Sequence, residues 1–196
     1  YDLYDPKNNC FLCRNFKKNN TITSIVTSSG CNNNCYFCSS KAMNKTLSSK
    51  PLDILNNEVD FKIQLWGKQD FCYILDENFI LQKDFKERLN IIKPLADKFL
   101  LFSSINYLNY DIINTYKDFG IHQVYIGLDD INKPHYKNNN LSYICSKLKS
   151  CGIFVHFGVV INPLDIIDED LESSIIDFVK NDKTPMSESE LYIPIN

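Results

Sequence analysis

Apolar and polar residues alternate in blocks along the 196-residue chain. The first twenty residues, Tyr1 to Asn20, are polar and irregular. "TITSIVTS", residues 21–28, is rich in β-branched side chains and predicts a strand. In "KPLDILNNEVDFKIQLWGKQ", Leu52, Leu55, Val59 and Ile63 recur at spacings of three and four. That is the stripe of an amphipathic helix, with Pro51 suited to its first turn and Gly67 to its end. "FCYIL" (Phe71 to Leu75) is a short apolar strand closed by Asp76, Glu77 and Asn78.

The alternation continues. "QKDFKERLNIIKPL" predicts a helix ending near Pro94, "KFLLFSS" a strand, and "LNYDIINTYKDFG" a helix closed by Gly120. "IHQVYIGLDD" predicts a strand, "NLSYICSKLKSCG" a helix ending at Gly152, and "IFVHFGVVI" a strand. "IDEDLESSIIDFVKN" predicts a fifth helix with acidic residues in its first turn, where the macrodipole favours them. "ELYIPI" predicts a sixth strand. Near-continuous apolar strands separated by helices indicate a parallel sheet covered by helices. The expected fold is therefore α/β: a partial (βα)6 TIM-like barrel over residues 21–196, preceded by the irregular segment 1–20. Six units fall short of the eight of a closed barrel, and an open doubly wound sheet is the other arrangement this order allows.

Composition narrows the class only a little. Apolar residues make up 44% and charged residues 23%, as in ordinary globular domains. A net charge of −3 gives no reason to expect a nucleic-acid partner. No apolar run approaches the roughly 20 residues needed to span a membrane, and no signal peptide opens the chain. The expected location is cytoplasmic. A start at Tyr1 rather than Met suggests a domain cut from a longer chain.

Candidate chemistry is concentrated in "TSSGCNNNCYFCSSK", where Cys31, Cys35 and Cys38 fall in a short Asn-rich loop after the first strand. Functional residues of such sheets gather at the carboxyl ends of strands. Asn tolerates the left-handed backbone of a tight wrap. Clustered thiolates suit zinc or an iron–sulfur cluster. A [4Fe–4S] cluster on three cysteines keeps one iron open for another ligand. A competing arrangement takes Cys10, Cys13, Cys35 and Cys38 as a four-cysteine zinc module that binds a partner. It strands Cys31 and ignores the strand–helix order. Two thiols alone rarely make a site, so Cys10 and Cys13 are expected to be ordinary thiols, with half of a metal site shared with absent sequence, or ligation of an accessory cluster, as the other readings. Cys72, Cys145 and Cys151 are expected to pack in the core. His122 and His135 are expected in loops.

The spacing of Cys31, Cys35, Phe37 and Cys38 resembles the cysteine motif of the radical S-adenosylmethionine (SAM) superfamily. "FCYILDENF", "DFGIHQVYIGLDD" and "CGIFVHFGVVINP" are similar, in that order, to later motifs of the branch associated with cobalamin-binding domains. The resemblance implies an enzyme in which Cys31, Cys35 and Cys38 hold a [4Fe–4S] cluster. SAM would bind the open iron and be split reductively to a 5′-deoxyadenosyl radical that acts on an unknown substrate. It also implies an electron donor such as flavodoxin or ferredoxin, and cobalamin supplied by a domain outside this chain. Phe37 would pack beside the adenine, Asp76, Glu77 and Asn78 would meet the SAM ammonium, and Asp129 would approach the ribose or amino group. Ser104 stands where the family often places an Arg, and His156 would touch SAM or substrate if its strand face points inward. The chain departs from the family pattern at Asp129, where Glu is usual, and at Asn162, where Gly is usual.

Overall fold

The computed structural model describes residues 22–33, 35, 38, 46–128 and 140–159. Five parallel strands form one sheet: β1 (Ile22–Ile25), β4 (Gln69–Ile74), β5 (Ala96–Ser104), β6 (Ile121–Leu128) and β7 (Phe154–Val159). Two further two-residue strands, β2 (Ser28–Ser29) and β3 (Ser48–Ser49), pair antiparallel outside it. The helices are α1 (Leu52–Trp66), α2 (Phe85–Ile92), α3 (Tyr110–Asp118) and α4 (Asn140–Ser150).

Each strand of the large sheet pairs with the one before it, in the order β1-β4-β5-β6-β7. A doubly wound sheet reverses its order at a switch point. No reversal occurs in these five strands, so the barrel-type winding holds and the doubly wound arrangement does not. The first four predicted helices occupy the expected intervals. The predicted fifth helix and sixth strand, and the segment 1–20, lie outside the described residues.

The α1 stripe explains its placement. Leu55 and Val59 are buried and Ile63 packs against the core they join. Gly67, at φ 71, ends the helix, and its amide donates to the Ile63 carbonyl at 2.8 Å. Before α3 the Asn109 side chain accepts from the Ile112 amide at 3.0 Å, a cap for an otherwise orphaned donor. Gly120 turns the chain from α3 into β6 at φ 76; a Cβ there would stand 3.0 Å from the Asp97 carbonyl oxygen.

Strand alternation sorts the two faces of the sheet. Phe99 and Leu101 of β5 and Val124 and Ile126 of β6 are buried, in one core with Ile113 and Tyr116 of α3 and with Ile144 and Leu148 of α4. Leu100, Phe102 and Ser104 of β5, and Gln123, Tyr125 and Gly127 of β6, alternate with them and are only half-buried. This second face lines the open interior of the partial barrel. Cys72 and Cys145 are core residues, as expected, and Cys151 packs against the same cluster. His122 is not in a loop: it lies in β6, half-buried between the rings of Phe71 and Phe154. Among the described residues no helix is long and apolar enough to cross a membrane.

Candidate functional site

The strands run parallel, so their carboxyl ends share one rim. Register fixes what meets there: Ser104 of β5 pairs with Gly127 of β6, which pairs with Gly158 of β7. Gly127 leaves its place in this row without a side chain, as where a ligand approaches backbone, while the space over Gly158 is taken by the Tyr125 ring. On this rim opens a cleft of about 210 Å³. It is lined by Cys31, Asn33, Cys35 and Cys38 of the cysteine loop, by Glu77 and Asn78 after β4, by Phe102 to Ser104, and by Tyr125 and Gly127.

The described part of the loop is held locally. The Asn33 amide donates to Cys31 Sγ at 3.4 Å, and the Cys38 amide to the Cys35 carbonyl at 3.2 Å. From the turn after β5, the Tyr107 hydroxyl donates to Asn33 Oδ1 at 2.8 Å. The three cysteines are half-buried and all face the cleft. Among the described residues no group of three or more His, Cys, Asp or Glu side chains could hold a single metal ion. A [4Fe–4S] cluster makes a different demand, one thiolate on each of several irons, so its ligands stand around a cube rather than around a point.

Asn78 is 2% exposed, and neither Oδ1 nor Nδ2 of its amide has a hydrogen-bond partner. Buried polar groups are rarely left so, because each costs about 1–3 kcal/mol. A ligand with a donor and an acceptor side by side would relieve Asn78.

Of the residues expected to bind cofactor, Cys31, Cys35, Cys38, Glu77, Asn78 and Ser104 are brought together here. Asp76, expected to meet a ligand ammonium, does not line the cleft. Its carboxylate is fully buried, accepting from the Thr27 amide (2.7 Å), the Thr27 hydroxyl (2.5 Å), the Ser28 hydroxyl (2.8 Å) and Gln82 Nε2 (2.9 Å). The last carboxylate before the turn has gone to structure, and the next two residues face the cleft. His156 pairs in register with Tyr125 and is half-buried, but it does not line the cleft. Phe37, Asp129, Cys10 and Cys13 lie outside the described residues. Phe102, Tyr125, Gly127 and Asn33 line the cleft without having been anticipated. Period-two alternation back from Ser104 and Gly127 marks Phe102 and Tyr125 as inward-facing, a signal present in the sequence.

The fold and this rim define a barrel-type α/β protein with a three-cysteine cleft at the carboxyl ends of its strands. The radical SAM superfamily model matches residues 25–174, and the chain belongs to that superfamily. No curated protein matches it. Among solved structures it is similar to the radical SAM methyltransferase TsrM of Kitasatospora setae, solved with tryptophan substrate and the SAM analogue aza-SAM bound. That likeness has a TM-score of 0.66 and 15% identity, over 86% of this chain and 35% of that one. It is also similar to coproporphyrinogen III oxidase (HemN) of Escherichia coli, a radical SAM enzyme (TM-score 0.54, 12% identity, 72% of this chain and 37% of that one). A third likeness is to BtrN in complex with AdoMet and 2-DOIA (TM-score 0.54, 14% identity, 71% and 56%). At such identities these likenesses establish the shared fold. The chain spans about a third of the length of TsrM.

Proposed function

We propose that this chain is the core domain of a radical SAM enzyme, with a [4Fe–4S] cluster on Cys31, Cys35 and Cys38. The observation that carries the reading is the shared cleft: three thiols of one loop face the same space as a buried amide with no partner, Asn78. When bound, the cluster and SAM supply reductive cleavage of the sulfonium and a 5′-deoxyadenosyl radical.

The chain's own residues orient and shield. Glu77 and Asn78 suit the amino-acid end of SAM. An ammonium finds a carboxylate at Glu77, a charge-assisted bond that fixes a cation. The Asn78 amide offers an acceptor to the ammonium and a donor to the neighbouring carboxylate. Ser104 and Gly127 form a wall on which a nucleoside can lie close to backbone. Phe102 and Tyr125, with ring centroids 5.2 Å apart, close the interior side with apolar surface and exclude water from a reactive intermediate. Phe37 beside the adenine and Asp129 near the ribose complete the reading by family resemblance.

The substrate class is left open. An electron donor such as flavodoxin or ferredoxin is the partner this chemistry requires, and a reducing cytoplasm its setting. The likeness to TsrM, of which one structure holds cobalamin and a [4Fe–4S] cluster, supports cobalamin as a further cofactor carried by a separate domain. The test is anaerobic reconstitution of the purified chain. About four irons and matching sulfide per chain, with 5′-deoxyadenosine formed under dithionite and lost in Cys35→Ala, is the expected result. One zinc per chain without visible absorbance would overturn it and favour the four-cysteine zinc module.

A further inference from the structure

Behind the cleft, a buried ionic network grips both roots of the cysteine loop without touching the cleft itself. Thr27 precedes the loop and Lys50 follows it. Thr27 is fully buried and every polar group it has is engaged. Its amide and hydroxyl donate to Asp76. Its carbonyl accepts from the Lys50 amide at 2.8 Å and from Arg88 Nη1 at 3.3 Å. Arg88 Nη1 also donates to the Lys50 carbonyl at 2.7 Å, so one guanidinium bridges the two roots. Gln82 Nε2 closes the ring with bonds to Thr27 Oγ1 (2.8 Å) and Asp76 Oδ2 (2.9 Å).

Burying charge is costly, and a chain rarely does so without engaging each group. Arg88 is 2% exposed and Asp76 fully buried. Arg88 is oriented from outside by Asp84, whose two carboxylate oxygens accept from Nε and Nη2 at 2.8 Å each. That pair holds the Asp84 carboxyl below its ordinary range, chiefly through the Arg88 hydrogen bond. The β2–β3 pairing, Ser28 with Ser49 and Ser29 with Ser48, continues the closure toward Cys31. Two rigid elements, the end of β4 and the helix α2, thus fix where the loop leaves and rejoins the fold.

We propose that Asp76 and Arg88 are positioning residues for the cluster: by clamping Thr27 and Lys50 they hold the three cysteines at cluster-binding separation. The inference rests on the reading of the cleft as a cluster site. Metal ligands depend on such outer support, and its loss typically costs 10- to 100-fold in affinity or activity. Neither residue lines the cleft, so each acts through the loop rather than on a ligand.

The experiment compares wild type, Arg88→Met and Arg88→Lys after anaerobic reconstitution. Three quantities are read: circular dichroism of the cluster-free protein, the rate of iron loss to a chelator, and the electron paramagnetic resonance of the reduced cluster. Arg88→Met should keep the native dichroism, release iron roughly 10- to 100-fold faster and shift the resonance, with partial rescue in Arg88→Lys. If Arg88→Met fails to fold, Asp84→Asn, which loosens the guanidinium from a one-third-exposed side chain, carries the same expectation in weaker form. Folded variants with wild-type iron loss and resonance would overturn the clamp and leave the proposed function standing. A wild type that takes up no iron would overturn the proposed function, and the clamp with it.

Discussion

The ring of Tyr125 occupies the space that a side chain at residue 158 would fill. A Cβ built on Gly158 would stand 2.6 Å from Cζ of Tyr125 and 2.8 Å from Cε1. Tyr125 leans from β6 across β7 and presents its phenol to the cleft wall, and Gly158 is the notch that allows it.

Gly158→Ala should therefore force Tyr125 aside, at about 1–3 kcal/mol of stability, the usual cost of overpacking. In a Tyr125→Ala background the same substitution should cost much less, since coupled neighbours show interaction energies of about 0.5–3 kcal/mol. Urea denaturation of the four proteins measures the cycle. Equal costs in both backgrounds would place the ring elsewhere.

Much of this geometry is legible in the sequence. The stripe of α1 and the apolar runs of β4 to β7 announce the elements, because one period dominates each window. The three cysteines stand out because their spacing has no use in packing. Asp76 was not legible. From the sequence, "DEN" after a strand is three equivalent polar residues. Which one turns inward depends on Thr27, Ser28 and Gln82, the first two about 50 residues away in the chain, the last only six. His122 is a related case: the run "IHQVYIGLDD" around it reads as a strand, but Phe71 and Phe154, which flank it, come from two other strands, so its half-buried setting shows only once the sheet is assembled.

The cysteines should separate by reactivity. Burial pushes the Cys72 thiol up to about 12, with Lys62 opposing and Glu58 adding slightly. Only roughly one Cys72 side chain in ten thousand is then thiolate at pH 8. Iodoacetamide on the native, cluster-free protein should modify Cys31, Cys35 and Cys38, which border the cleft, and spare Cys72 until denaturant is added. Reconstitution with iron and sulfide should protect the three loop cysteines. Peptide mass spectrometry reads both results; modification of Cys72 in the native state would contradict its burial.

His122 gives the fold a pH dependence of defined sign. Burial lowers its affinity for a proton, and Lys98, whose Nζ sits 5.2 Å from the centre of the Phe71 ring, lowers it further. The unfolded histidine, with an ordinary value of about 6.5, takes up its proton first as pH falls. Stability from this residue is therefore complete above about pH 6.5, declines as pH drops below it, and levels off once the folded form also protonates. His122→Gln should flatten this part of the profile. Urea midpoints at pH 8 and pH 5.5 for both proteins test it, and an unchanged difference between the two pH values would remove His122 as its source.

Asn78 should show a trade between stability and binding. Its amide is buried without a protein partner, so the cluster-free, SAM-free protein carries a desolvation cost that a ligand with a donor and an acceptor would relieve. Leucine is close to asparagine in size and needs no partner. Replacing an unsatisfied polar group with an apolar one of similar shape is neutral to stabilising. Asn78→Leu should thus raise the unfolding free energy of the ligand-free protein by about 1 kcal/mol. It should also weaken SAM binding to the reconstituted protein by about 1–3 kcal/mol, roughly 5- to 150-fold in Kd. Urea denaturation and equilibrium dialysis with labelled SAM measure the two halves. The opposite pattern, lost stability with unchanged SAM affinity, would mean that the amide serves the fold and not the ligand. In that case Glu77 would be left as the polar group after β4 that meets the SAM ammonium.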